Sequence, residues 1–386
     1  MKSMKVFLVF LGIVAILGLM IPSGAMAVKE IKIGVIYPLT GGAAAAGREL
    51  RAGAELAAKI ANNAMPELPM TMARNAGIQS LGGAKVKLIF KDHQGNPTLG
   101  ADLAKKLILD DKVDGILGCY LFELLKGLTE GKVRGVPAIP KKDLMNIASA
   151  CEKTEWGSHV SGLIKDFAKE YGFRMRKSLL YAAKSADLSS EVRSLKAARP
   201  DVMLFASYTS DAILMVKTLK AQKAQPKIIW GQDAGFEKPE FRNTLGEGIV
   251  GILTRTVFLP KVVEIKKLAG QVNALYKAKT GNDLGGASAR AFTGLQTWVH
   301  VLEKAGSTKP ADIQRAANAI YIPGKELVVP WAGIKFSNTG DELGQNVLGS
   351  GLIGQYQKQK DGTVGLEIVY PFDVSSADMI YPFPKW

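Results

Sequence analysis

The chain has 386 residues, more than one ordinary core organises and about right for two lobes. With 47% hydrophobic and 22% charged residues, its composition is that of a soluble globular protein. The formal charge is +15, but the basic residues are spread along predicted helices such as "VRSLKAARP", often beside acids. A nucleic-acid site calls for clustered Lys/Arg with interleaved aromatics, so no nucleic-acid partner is expected.

In chain order, the first segment reads as a secretory signal. Lys2 and Lys5 form a basic start, residues 6–21 an apolar run, and Pro22 and Ser23 break it before Ala25-Met26-Ala27. Cleavage after Ala27 and release into a Gram-negative periplasm are expected. The apolar run of about 16 residues falls short of the roughly 20 that span a bilayer. No Cys follows it, so no lipidated N-terminus is expected.

Strands and helices then alternate. "IKIGVIY" (31–37) predicts a strand with Ile31, Ile33 and Val35 on one face, and "GRELRAGAELAAKIANN" (47–63) a helix. "KVKLIFKD" (85–92), "TLGADLAKKLILDD" (98–111) and "VDGILGCY" (113–120) continue as strand, helix, strand. A second series starts at Leu144 with "LMNIASAC", followed by a helix whose stripe is Val160, Leu163, Ile164, Phe167, Ala168 and Tyr171. "KSLLYAA", "SSEVRSLKAA", "DVMLFASY", "SDAILMVKTLKAQ" and "KIIWGQ" complete it. Past "GILTRTVFLP" come helical stretches at 261–280 and 286–305 and a β-rich tail. Units of about 25–30 residues are the length of βαβ repeats. Such alternation predicts an α/β fold of two doubly wound lobes with parallel-sheet cores.

Reactive constellations are missing. His93, His159 and His300 are scattered without metal-ligand spacing, and neither G-x-S-x-G nor H-E-x-x-H occurs. "GAAAAGRE" (42–49) has P-loop glycine spacing, but Arg48 and Glu49 stand where Lys and Ser/Thr are needed. "GSGLIG" (349–354) matches G-x-G-x-x-G in a β-like context with no helix after it. Cys119 and Cys151 both end apolar runs, which suits a disulfide in an oxidising compartment or two buried free thiols. No enzyme activity, metal or cofactor is expected.

What remains is a set of residues at the C-terminal ends of strands, where open α/β sheets hold ligands. "YPLTGG" (37–42) places Tyr37 and Thr40 in a turn whose N–H groups suit a carboxylate. "TEWGS" places Trp156 after the first strand of the second series, "SYTSD" Tyr208 after its third, and "WGQDAG" Asp233 after its fourth. Together they predict a cleft with an anion-binding side, a carboxylate and aromatic walls, as a zwitterionic amino acid requires.

At these residues the chain resembles the periplasmic leucine/isoleucine/valine-binding proteins of branched-chain amino acid ABC transporters. The resemblance is carried by "IKIGVIYPLTGGAAAAGRELRAGAELA", "KLIFKDHQGNPTLGADLAKKLILDDKVDGILG", "EKTEWGSH", "DLSSEVRSLKAARPDVMLFASYTSDAILMVKTLKA", "FTGLQTWVHVLEKAGS" and "GIKFSNTGDELGQN", in family order. It implies the type I periplasmic binding fold: two lobes joined by a multi-strand hinge that close on a ligand. It implies lobe one from 28–120 and 254–330, a crossover at 121–143, lobe two from 144–253 and 331–360, and a tail at 361–386. Tyr37 and Thr40 then line lobe one, while Trp156, Tyr208 and Asp233 line lobe two, with Asp233 on the ligand ammonium. Trp156 stands where the family often has Tyr. The implied partners are a small amino acid or carboxylate and the permease subunits of the inner membrane; a monomer is expected.

One departure stands out. After Tyr120 the family continues with a Ser-rich loop, a helix, a strand and a second Ser/Thr loop, whereas here Leu121-Phe122-Glu123 opens what looks like the crossover helix. Roughly 30–50 residues are missing by the size of such units, including both hydroxyl-bearing carboxylate loops. Two readings stand: an artefact or in-frame loss that cripples binding, or a true short lobe that binds something else or nothing. Weakened affinity for ordinary amino acids is the expectation. A ligand sensor of the same fold is the alternative function.

Overall fold

A computed structural model of the chain describes residues 30–41, 43–94, 128–339 and 343–386. The signal segment, the strand and helix expected at 98–120, Cys119 and the Tyr120–Leu121 junction lie outside the described residues.

The main framework is a seven-stranded sheet. Its strands are β3 (Asn146–Glu152), β4 (Arg174–Tyr181), β5 (Val202–Ala206), β6 (Ile228–Gln232), β7 (Leu253–Thr256), β10 (Leu352–Lys358) and β11 (Val364–Tyr370). They lie in the order β11-β10-β7-β6-β5-β3-β4. The run from β7 to β4 is parallel, and β10 and β11 add antiparallel strands at one edge. Every residue of β5 and β6 is buried, as expected of central strands covered on both faces.

Alternation along these strands divides the interior into two cores. Ile147, Cys151, Leu204 and Trp230 point to one face and meet Val160, Ile164 and Ala168 of helix α2 (Glu155–Glu170). Ala148, Ala150, Met203, Phe205 and Ile229 point to the other. There they meet helices α3 (Ser189–Ala197) and α4 (Thr209–Ala221), through residues such as Val192, Leu195, Met215 and Leu219. The period-two pattern of the strands and the 3.6-residue stripe of the helices are thus satisfied together. Burying each of these large side chains contributes about 1.5–3 kcal/mol. Edge strand β4 is charged and exposed at Arg174, Arg176 and Lys177, which discourages pairing with another sheet.

A third core forms around the parallel pair β1 (Glu30–Tyr37) and β2 (Lys85–Asp92). Helices α1 (Ala44–Asn62), α6 (Lys267–Thr280), α7 (Gly286–Ala305) and α8 (Pro310–Asn318) pack around it, numbered after α5 (Pro239–Leu245). Leu327, Val328 and Val329 join this core, as does Ile334 from the small strand pair β8 (Ile322–Pro323) and β9 (Gly333–Ile334). A Cβ on Gly53 of α1 would sit 2.1 Å from the Ser288 carbonyl oxygen of α7, so glycine lets the two helix backbones touch. The stretch 361–386, expected as a tail, instead supplies strand β11, and its Met379 and Phe383 are buried in the two cores of the large sheet. "GSGLIG" runs into β10, with no helix after it. Among the described residues no helix is long and apolar enough to cross a membrane.

Candidate functional site

Strand order fixes where a ligand crevice forms. From β3 the chain goes out to β4 on one side, while β5 lies on the other. That reversal is a topological switch point, and the crevice opens outside the C-terminal ends of β3 and β5. Thr154, just past β3, starts helix α2 by accepting a hydrogen bond on Oγ1 from Gly157 N at 3.0 Å. Trp156 therefore sits in the first turn of α2. Tyr208, just past β5, holds the N-cap position of α4. Their rings meet with centroids 5.3 Å apart at 37°. Burial pushes the Tyr208 hydroxyl up to about 12, with the charges of Glu152 and Asp233 adding to it, so it remains a neutral hydrogen-bonding group.

The loop after β6 is drawn into the same place. Gly235 N donates to Ser207 O at 3.0 Å, and a Cβ on Gly235 would lie 2.5 Å from the Tyr208 carbonyl carbon. Only glycine permits this approach. Asp233 precedes it with φ 53° and ψ −147°, and Ala234 follows with φ 45°. Backbone of this kind in non-glycine residues stores on the order of 1–3 kcal/mol and clusters at functional sites. Asp233 Oδ1 accepts from Ala234 N at 2.8 Å, while Oδ2 accepts from Arg290 Nη2 at 2.7 Å and Arg255 Nη1 at 3.3 Å. Burial alone would raise this carboxyl, but the two guanidiniums outweigh it and hold the group below the usual carboxylate range.

Trp156, Tyr208 and Asp233 are thus brought together. Tyr37 and Thr40 form a second group at the end of β1. Burial pushes the Tyr37 hydroxyl up to about 12, and its ring lies 6.4 Å from that of Phe90. The turn amides expected to receive a carboxylate are already engaged. Asp92 Oδ1 accepts from Leu39 N at 2.8 Å, Thr40 N at 3.3 Å and Gln94 N at 2.9 Å, and Oδ2 accepts from Thr40 Oγ1 at 2.6 Å. The Thr40 hydroxyl bond and these backbone donors hold Asp92 below its ordinary range.

Several polar groups in this region went unmarked in the sequence. Glu152 ends β3, is 1% exposed, and accepts from Tyr208 N on Oε1 at 2.6 Å. Burial pushes it up to about 7, with Asp211 adding to the push. Arg255, in the middle of β7, and Arg290, near the start of α7, supply the guanidiniums. Lys238 Nζ, 3% exposed, bridges Glu49 Oε2 of α1 at 3.1 Å and Glu237 Oε1 at 3.2 Å. This links the helix after the Thr40 turn to the loop after β6. Two signals were available: an Arg inside the apolar run "GILTRTVF", and a lone Arg in "GASARAF". Cys151 is a buried free thiol pushed up to about 12 by burial. Among the described residues no group of His, Cys, Asp and Glu has metal-site geometry.

Residues 30–140 and 133–347 match the family model described as periplasmic binding protein. The Leu/Ile/Val-binding protein homolog 8 of Brucella suis is 25% identical over 401 residues, spanning 95% of this chain and 97% of the relative. That alignment is longer than the chain itself, so the relative carries residues with no counterpart here. Two solved structures share the fold. LivJ of Streptococcus pneumoniae, a branched-chain amino acid transporter substrate-binding protein in complex with isoleucine, superposes with TM-score 0.64 at 18% identity, covering 89% of this chain and 100% of its own. A solute-binding protein of an ABC transporter from Rhodopseudomonas palustris BisB5, in complex with 3,4-dihydroxybenzoic acid, superposes with TM-score 0.65 at 17% identity, covering 92% and 98%.

Proposed function

The chain belongs to the periplasmic binding protein family, and on that premise we propose that it is the solute-binding component of an ABC transporter. It is exported by its N-terminal segment, is cleaved after Ala27, and works as a monomer that passes a small amino acid or carboxylate to permease subunits in the inner membrane. Lobe one is built on β1, β2 and the helices around them, and lobe two on the seven-stranded sheet. Trp156, Tyr208 and Asp233 line the second lobe's side of the cleft, and Tyr37 and Thr40 the first lobe's side.

The observation that carries this reading is the Trp156–Tyr208 ring pair at the switch point. Two half-buried aromatic faces beside a charged cluster offer an apolar body a wall and a polar head an anchor. Closure of the lobes would exclude water from both and strengthen the polar contacts. The fold relatives bind molecules of this size, one an amino acid and the other an aromatic acid.

Ligand that binds only the folded protein stabilises it by RT ln(1 + [L]/Kd), about 2.7 kcal/mol at a hundred times Kd. A thermal-shift panel of amino acids and small carboxylates at millimolar levels tests the reading, with small-angle scattering on any hit. A cognate compound raises Tm and shrinks the radius of gyration. If no member of the panel moves Tm, the chain does not work as a binder of this class.

A further inference from the structure

We propose that a basic pocket at the outer end of the large sheet, between helix α2 and edge strand β4, binds a phosphate monoester carrying an apolar body. The site is separate from the cleft, and the inference does not rest on the solute-binding reading above.

Its place follows from the fold. Met145 lies just before β3, Arg174 opens β4, and Gly172 and Phe173 belong to the turn that joins α2 to β4. The pocket among them has a volume of about 480 Å³, in the range of small-molecule sites. It lies at the N-terminal ends of the strands, whereas Trp156 and Tyr208 follow the C-terminal ends. The seven residues of β3, about 20 Å of extended chain, separate the two places.

The charged lining is all positive. Lys165 and Lys169 stand four residues apart on one face of α2, and Arg174 joins them from β4. None of the three side chains forms an ion pair or hydrogen bond among the described residues, although Asp166 and Glu170 adjoin the lysines in the chain. Like charges four apart on a helix repel. The negative end of the α2 dipole favours a cation in its last turn, which accounts for Lys169. It does not account for Lys165, a turn earlier, or for Arg174, outside the helix. The carbonyls at the end of α2, which would repel an anion, are already engaged. Tyr171 N donates to Phe167 O at 2.9 Å, Gly172 N to Lys169 O at 3.1 Å and Phe173 N to Ala168 O at 2.7 Å. Lys141 Nζ donates to Tyr171 O at 2.8 Å and lies 5.4 Å from the centroid of the Phe173 ring, a fourth cation at the rim.

The rest of the lining is largely apolar. Phe173 is buried in the core beneath α2, Met175 packs against that core from β4, and Met145 lies beside them. A phosphate monoester carries a charge of about −1.5 to −2 at neutral pH and three acceptor oxygens. Three unpaired cations match that charge and that oxygen count, where a carboxylate would leave cations over. The Arg174 guanidinium supplies a fork that phosphate accepts in two parallel bonds, and the two ammoniums supply point charges. The apolar body then covers Met145, Phe173 and Met175 and removes their surface from water.

Isothermal titration of the purified protein with phenyl phosphate tests the inference, with inorganic phosphate and benzyl alcohol as the two halves of the probe. Phenyl phosphate should bind about tenfold or more tighter than either half, and weaken as salt is raised. The double variant Lys165→Gln/Lys169→Gln, and separately Arg174→Gln, should each lose about tenfold or more of that affinity. All three side chains are exposed, so the variants keep the fold. Absence of binding, or binding that survives in both variants, overturns the inference. Inorganic phosphate binding as tightly as phenyl phosphate overturns the stated class, because the apolar lining then contributes nothing. Flotation with phosphatidylcholine vesicles, with and without phosphatidic acid, identifies the source of the phosphate. Co-flotation that requires phosphatidic acid and is lost in the double variant assigns a lipid headgroup. Tight phenyl phosphate binding without co-flotation assigns a free phosphate ester.

Discussion

Asp92 and Asp233 each stand at or just past the end of a parallel strand, and each is held below the ordinary carboxylate range, but by different means. Asp92 lies beside exposed Thr40 and takes its bonds from neutral donors, three amides and a hydroxyl. Asp233 is largely buried and takes one amide and two guanidiniums. The first arrangement shapes a turn and leaves its charge facing water. The second locks charges from β7 and α7 onto the loop after β6, and the surrounding low dielectric makes every partner hard to remove. A carboxylate at a strand end is therefore not in itself a ligand anchor; what already binds it decides.

The comparison breaks most sharply at Asp233. Asn keeps the tolerance for positive φ but removes the charge, leaving two guanidiniums without their carboxylate. Asp233→Asn should lose about 3–5 kcal/mol of stability in denaturant unfolding at neutral pH. The sign with pH follows: a depressed carboxyl contributes stability present above its ordinary value near 3.8 and lost as pH falls through its folded value. The gap between wild type and variant should therefore close in acid. A gap independent of pH contradicts the ion-pair account.

Gly235→Ala comes next. Its methyl group meets the Tyr208 and Ser207 backbone, so about 1–3 kcal/mol of stability and a displaced ring pair are expected. Unaltered ligand affinity in that variant would separate the β6 loop from the site. A gentler effect belongs to Glu152, whose folded value is pushed up to about 7. A raised carboxyl contributes stability that is full below its unfolded value near 4.5 and lost as pH rises through about 7. Glu152→Gln should flatten part of the fall in Tm between those limits, and an unchanged profile removes Glu152 from the fall. Asp92→Asn should give the smallest change, a slight Tm loss that shrinks further below the ordinary Asp range.

The sequence made the loops legible and left their partners hidden. Trp156, Tyr208 and Asp233 were readable because parallel strands announce themselves as apolar runs, and whatever follows each run lands on one edge of the sheet. Their meeting required only that β3, β5 and β6 be close neighbours. The partners of Asp233 come from β7 and from a helix 57 residues away, and no local pattern reports that reach. Thr40 shows the same limit. Its turn reads as an anion site, but Tyr37 registers opposite Asp92 across the β1–β2 pair, which sets the Asp92 carboxylate level with the turn amides. Register between distant strands is a tertiary fact. The stretch 361–386 reads as a tail because its one seven-residue strand lies at the sheet edge, where among the described residues it pairs with β10 alone.

The most direct test of the account is a crystal structure grown with a compound that raises Tm in the thermal-shift panel. The account predicts the ligand's body against Trp156 and Tyr208, with Asp233 still bonded to the two guanidiniums. Ligand density away from the ring pair would contradict it.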